Sequence, residues 1–179
     1  MSDRAWYFAY GSNMQPATFA GRRGITPSRA VAARAPGWRL VLDKTPLVPV
    51  GASFANLRAD AEAFAWGVAY EIGADDLAHV DLTEGVLIGN YARVEIDVHP
   101  IDVSGPTRAF TLVSDKRSDD LQPSDRYMAL LIEGALTHGL PDEWIAMLRA
   151  IPTCAESPEA VAGRRLVDAG LAAMRRRRD

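Results

Sequence analysis

Trp6-Tyr7-Phe8-Ala9-Tyr10-Gly11-Ser12-Asn13 divides into two parts with different physics. The aromatic run reads as a buried strand, and Gly11-Ser12-Asn13 stops it. Pro16 then suits the first turn of a short helix over residues 15–20, ended by Gly21 and Gly24. A glycine at the end of the strand lets the chain turn tightly, so that successive amides point into one concavity. With a helix N-terminus following, that concavity is a cradle for a carboxylate or phosphate. The same three residues also read as a plain turn with an N-cap.

Outward from this stretch, the chain continues as strands. Residues 29–35 and 38–43 read as two strands separated by the turn pair Pro36-Gly37, and Thr45–Gly51 as an irregular loop. Ala63–Ile72 is a strand with Phe64, Trp66, Val68 and Tyr70 alternating to one side. Gly73-Ala74-Asp75-Asp76 opens a helix over residues 75–84, closed by Gly85. Tyr91–Val98 alternates Val94, Ile96 and Val98 against Arg93, Glu95 and Asp97, and Thr107–Val113 is a further strand. From Ser124 onward the pattern is helical, over residues 124–138, 141–150 and 158–175. Strands joined by short loops and followed by helices predict an α+β fold with a mainly antiparallel sheet. Closing the sheet into a barrel would remove its edges, but the pattern alone does not decide this.

Composition narrows the chemistry. The 179 residues, 48% hydrophobic and 24% charged, suffice for one domain with a real core. A single cysteine, Cys154, excludes an internal disulfide and multi-cysteine metal sites. His79, His99 and His138 show no metal-binding spacing, and there is no P-loop or G-x-G-x-x-G, so no metal or nucleotide cofactor is expected. The net charge of −3 hides an asymmetry: residues 164–179 carry six arginines, Arg175–Arg178 among them, and the rest of the chain is acidic at −7. An acidic body is a poor nucleic-acid binder, so nucleic acid is not expected despite the basic end. That end reads either as a basic tail or as a solvated, frayed terminus. No apolar stretch is long enough for a membrane span, Met1–Arg4 leads straight into a strand, and the lone cysteine fits a reducing compartment. The expectation is a cytoplasmic protein without membrane contact.

Glu84 stands out among the titratable residues. Leu77, Val80 and Glu84 fall on one stripe of the helix ending at Gly85. A carboxylate at the end of an inward stripe, near the negative end of the helix dipole, is disfavoured as an anion, and Asp81 would add to that. Such a group suits general acid–base work near neutrality. The alternative is a last-turn glutamate that escapes to solvent. His79 and His99 have no evident partner and read as surface or half-buried residues. Cys154 has no activating pattern. Tyr91 and Tyr127 read equally as hydroxyl donors to a substrate and as packing residues.

These features converge on a known pattern. Tyr7-Phe8-Ala9-Tyr10-Gly11-Ser12-Asn13-Met14 resembles the F-x-Y-G-S-N opening of the γ-glutamylcyclotransferase-like family. Asp81-Leu82-Thr83-Glu84-Gly85-Val86, followed by Gly89-Asn90-Tyr91, resembles that family's L-D-x-x-E-G-V…Y signature. Ala55-Asn56-Leu57, Gly67–Glu71, Pro123–Tyr127 and Gly134…Gly139-Leu140-Pro141 continue the similarity in order, over roughly residues 6–152. The resemblance divides the chain into a catalytic domain over residues 1–153 and a C-terminal helical extension over residues 154–179 with an arginine-rich end.

The resemblance implies a small, mainly antiparallel β-barrel flanked by helices, working without metal or cofactor on a small γ-glutamyl substrate. It implies a reaction in which a γ-glutamyl amide closes on itself to give 5-oxoproline and releases an amine or amino acid. Carried over, Glu84 would be the acid–base catalyst, Tyr10, Gly11, Ser12 and Asn13 the substrate-gripping loop, and Tyr91 and Tyr127 part of the pocket lining. Met14, Phe110 and Leu87-Ile88 depart from the family pattern, the last beside the part of the pocket that would recognise the leaving amine. A non-catalytic module that binds a small amino-acid-like ligand in the same pocket is the competing expectation.

Overall fold

In the computed structural model, which describes residues 4–47 and 51–175, the chain folds as five strands and four α-helices joined by short helical turns. Strand β1 (Arg4–Ala9) opens the fold, followed by a 3-10 turn (Ser12–Met14) and a π-helical turn (Ala17–Arg22) where a short helix was expected. Next come β2 (Arg29–Lys44), β3 (Phe54–Gly73), α1 (Ala74–Glu84), a 3-10 turn (Val86–Ile88), β4 (Ala92–Pro100) and β5 (Thr107–Val113). Helices α2 (Asp125–Thr137), α3 (Asp142–Ala150) and α4 (Pro158–Arg175) complete it. The Arg175–Arg178 run lies outside the described residues except for the backbone of Arg175.

The strands form a closed barrel in the order β1-β3-β2-β4-β5. All neighbours are antiparallel except β1 and β5, which meet in parallel at Tyr7 and Phe110. Closure satisfies both edges, and Thr111 Oγ1 adds a 2.9 Å bond to the Phe8 carbonyl across that seam. One expectation needs correction. The two strands read on either side of Pro36-Gly37 are a single strand, β2, that bends through a bulge between Pro36 and Trp38. Gly37 supplies the positive φ of 78° for the bend, so these turn residues reshape the ladder without reversing the chain. The same irregularity lets β2 and β3 run far longer than an average strand and curl around the barrel.

The core lies inside the barrel and under the helices. Phe8, Phe19, Val68, Tyr70, Leu131 and Leu148 are almost fully buried. Phe19 stacks between Tyr7 and Tyr70, with ring centroids 5.8 and 4.3 Å apart. Two glycines permit the close approaches that place the Gly11–Met14 turn. A Cβ on Gly67 would lie 2.3 Å from the Ala9 carbonyl oxygen, and one on Gly134 would lie 2.7 Å from the Met14 backbone. Strand β3 and helix α2 therefore touch the main chain on both sides of the turn, which fixes where its amides point. The sequence motif is thus held from outside as well as by its own backbone preferences.

Candidate active site

The end of β1 and the C-terminus of α1 meet at one cavity of about 390 Å³. The residues that the family resemblance assigns to the site line it: Tyr10, Gly11, Ser12 and Asn13 from the turn, Glu84 from α1, Tyr91 before β4 and Tyr127 from α2. That volume lies within the roughly 300–1,000 Å³ of small-molecule sites. Among the described residues, no helix is long and apolar enough to cross a membrane, and no cluster of three or more His, Cys, Asp or Glu is placed to hold a metal ion.

Glu84 sits where local structure leaves it little freedom. Gly85 ends α1 in the left-handed region, at φ 74°, and its amide returns to the Asp81 and Leu82 carbonyls. Asn90 then closes the turn, donating from Nδ2 to the Glu84 carbonyl at 2.8 Å and from its backbone amide to the Gly85 carbonyl at 2.9 Å. Asn90 is oriented in turn by Lys44, whose Nζ donates to Asn90 Oδ1 at 2.7 Å and to the Thr45 carbonyl. The Lys44 ammonium also stands 4.9 Å from the centre of the Tyr91 ring. Burial pushes Lys44 down to about 8, against the pull of the Glu84 charge.

The Glu84 side chain is only 16% exposed and does not escape to solvent. Arg23 Nη2 stands 2.6 Å from Oε1, and Asn13 Nδ2 donates to the same oxygen at 2.8 Å. Asn13 Oδ1 accepts from Arg23 Nε at 2.7 Å, which closes a three-residue ring of charge-assisted bonds. Both protein contacts fall on Oε1, and no bond is made to Oε2 among the described residues. Asn13 spends its second amide hydrogen on Tyr7 Oη, at 3.0 Å. Its side chain therefore orients the carboxylate from the same turn that presents the Gly11 and Ser12 backbone. Asp81 lies apart from this ring, ion-paired with Arg93 at 2.7 Å.

The tyrosines supply neutral hydroxyls. Burial, foremost in each case, raises Tyr7, Tyr10, Tyr91 and Tyr127 well above the ordinary value of 10.0, and the nearby Glu84 charge adds to it. Tyr10 Oη donates to the Leu112 carbonyl. Tyr127 Oη accepts from the Ala55 amide at 3.1 Å and also faces the Ser12 amide, so its proton is available to a ligand in the cavity.

Sequence reading missed Arg23, Lys44 and Tyr7. Arg23 follows a short turn with no period to announce burial, yet it is 6% exposed. The one available signal was a pair of arginines, Arg22-Arg23, close behind the Gly-Ser-Asn turn. His79, expected to be a surface or half-buried residue, is buried, and its Nε2 lies 3.0 Å from the Arg23 carbonyl oxygen. It therefore braces the backbone of the residue that holds Glu84. His99 pairs with Arg34 where β4 meets β2, on the barrel wall.

Helix α4 forms one side of the cavity. Ala160, Gly163, Val167 and Leu171 line it, beside Arg164, which is ion-paired with Glu156 at 3.0 Å. Arg22 is paired with Asp168 of the same helix.

Residues 65–148 match the model of the AIG2-like family. A γ-glutamyl cyclotransferase of Aspergillus oryzae is 32% identical over 173 residues, covering 86% of this chain and 63% of that protein. The chain thus spans less than two thirds of that relative's length. The mouse γ-glutamylcyclotransferase is 31% identical over 86 residues, covering 48% of this chain and 45% of that protein. A solved structure titled γ-glutamyl cyclotransferase superposes with a TM-score of 0.77 at 22% identity, covering 93% of this chain and 99% of that one. Family model, sequence relatives and the closed barrel point the same way: the chain is similar to the γ-glutamylcyclotransferase-like proteins and shares their fold.

Proposed function

We propose that this protein cyclises a γ-glutamyl amide to 5-oxoproline and releases an amine or amino acid, with Glu84 moving the proton. The observation that carries the reading is the Glu84 carboxylate, held through Oε1 by Arg23 and Asn13, in the same cavity as the Gly11-Ser12 backbone. The cyclotransferases named among the relatives support it.

The steps follow from that placement. The substrate's α-ammonium loses a proton to Glu84, and the freed nitrogen attacks the γ-carbonyl carbon. As the new C–N bond forms, the carbonyl π electrons move onto oxygen, where loop amides or the Tyr127 hydroxyl stabilise the charge. Collapse breaks the bond to the leaving nitrogen as the protonated Glu84 returns its proton to it. The carboxylate so regenerated takes the second proton from the ring nitrogen, leaving the lactam N–H, and passes it to the amine, which departs as an ammonium. Ring closure is intramolecular, so holding one flexible chain in a bent conformation supplies much of the acceleration. Arg23 and Asn13 keep the carboxylate aimed while its other oxygen, Oε2, does the transfer. No step calls on a metal or cofactor. A cytoplasmic location fits a lone cysteine and an amino-acid-derived substrate.

The test is 5-oxoproline release from a panel of γ-glutamyl compounds, glutathione included. Production from at least one of them supports the reading. Ligand-induced stabilisation with no turnover across the panel would favour the binding-module alternative.

A further inference from the structure

We propose that the outer half of the cavity, between α4 and the turn that follows α1, selects γ-glutamyl compounds whose leaving half carries a large apolar group. The inference rests on the cyclotransferase reading and names the substrate class of that site.

A cavity of about 390 Å³ has room for more than a glutamyl group. The polar machinery, Glu84, Asn13, Arg23 and the Gly11-Ser12 backbone, accounts for one end. Beyond it, Ala160, Gly163, Val167 and Leu171 recur at helical spacing along α4 and give the cavity a wall of small and apolar residues. The charges on that wall are already answered within the protein, Arg164 by Glu156 and Arg22 by Asp168. Arg126 at the rim is exposed, where water hydrates it.

Leu47, Leu82 and Ile88 line the same cavity. These three and Val167 are 53%, 47%, 67% and 49% exposed, so none serves the core. Scattered exposed apolar residues are ordinary, but four that line one cavity mouth form a patch of the kind that marks a ligand groove. The glutamyl half binds at the polar end because its ammonium must reach Glu84. The leaving half must then extend towards the apolar mouth, where an apolar side chain would be removed from water and a glycine would gain nothing.

The experiment compares kcat/KM for γ-glutamyl-phenylalanine, γ-glutamyl-glycine and γ-glutamyl-aspartate, reading 5-oxoproline. The expected preference for the phenylalanine compound over the glycine compound is about 10-fold or more, the scale of a hydrophobic subsite. The double variant Ile88→Asp/Val167→Asp, at two exposed positions, brings that ratio down towards one. Leu166→Asp, on α4 and 76% exposed but not lining the cavity, leaves the ratio unchanged. Equal kcat/KM for phenylalanine and glycine compounds in the unmodified protein overturns the inference, as does a ratio that the double variant does not move. No 5-oxoproline from any γ-glutamyl compound by the folded protein overturns the cyclotransferase reading itself, and this inference with it.

Discussion

Replacing Arg23 with methionine should unlock the site and destabilise the fold at once. The guanidinium makes a 2.6 Å contact with Glu84 Oε1 and a 2.7 Å bond to Asn13 Oδ1. It is 6% exposed, so water cannot take its place. Breaking a buried ion pair by removing one partner costs about 3–5 kcal/mol, because the remaining charge is left uncompensated. Glu84 retains 16% exposure and its bond from Asn13, which recovers part of that cost. The expected loss is therefore about 2–3 kcal/mol at pH 7, a sizeable share of the roughly 5–15 kcal/mol that holds a domain folded. Equilibrium unfolding in urea measures it. The distinguishing control is the second mutation: in an Arg23→Met/Glu84→Gln variant no unpaired charge remains, so the loss should be well below the sum of the single effects. A coupling of about 2 kcal/mol between the positions is expected. The reasoning is refuted if Arg23→Met alone costs less than about 1 kcal/mol, or if the two effects add within about 0.5 kcal/mol.

The remaining predictions concern the surroundings of the site. Gly134→Ala places a Cβ 2.7 Å from the Met14 backbone and 2.8 Å from the Gln15 nitrogen, so α2 must move away from the turn. A loss of about 1–3 kcal/mol in thermal or urea unfolding is expected, with a raised KM because the turn shifts. Gly11→Ala brings a Cβ to 3.0 Å from Tyr127 Oη, which should raise KM through the displaced hydroxyl while changing stability by less than Gly134→Ala. The dependence of stability on pH has a definite sign. Lys44 is lowered to about 8 from 10.5, so between those values the unfolded chain binds more protons and stability rises with pH. The buried tyrosines are raised above 10.0, so above that pH the folded chain holds more protons and stability falls. Urea midpoints should thus increase from pH 8 towards pH 10 and decline beyond it, and Lys44→Met should flatten the rising limb.

Local rules made much of this molecule legible. Alternation in Tyr91–Val98 announces β4, and the Glu84-Gly85 pair announces a helix end because only a residue such as glycine takes the left-handed cap. Pro36-Gly37 was misread because the residues that make a turn also make a bulge, and only the partner strand decides which. At the site, the family pattern and the helix stripe pointed to Glu84, but the expectation of a carboxylate under burial and dipole alone omitted its cation. Arg23 is far from Glu84 in sequence, and their meeting depends on barrel closure and on His79 beneath it. Nor could the apolar stripe of the last helix say what it faces. It faces the cavity.

Production of 5-oxoproline from γ-glutamyl compounds by the unmodified protein and by Glu84→Gln, each shown to be folded by near-UV circular dichroism, tests the central claim most directly. The expected result is turnover of at least one compound by the first and none above background by the second, since an amide cannot accept and return the proton. Undiminished turnover by Glu84→Gln would contradict it.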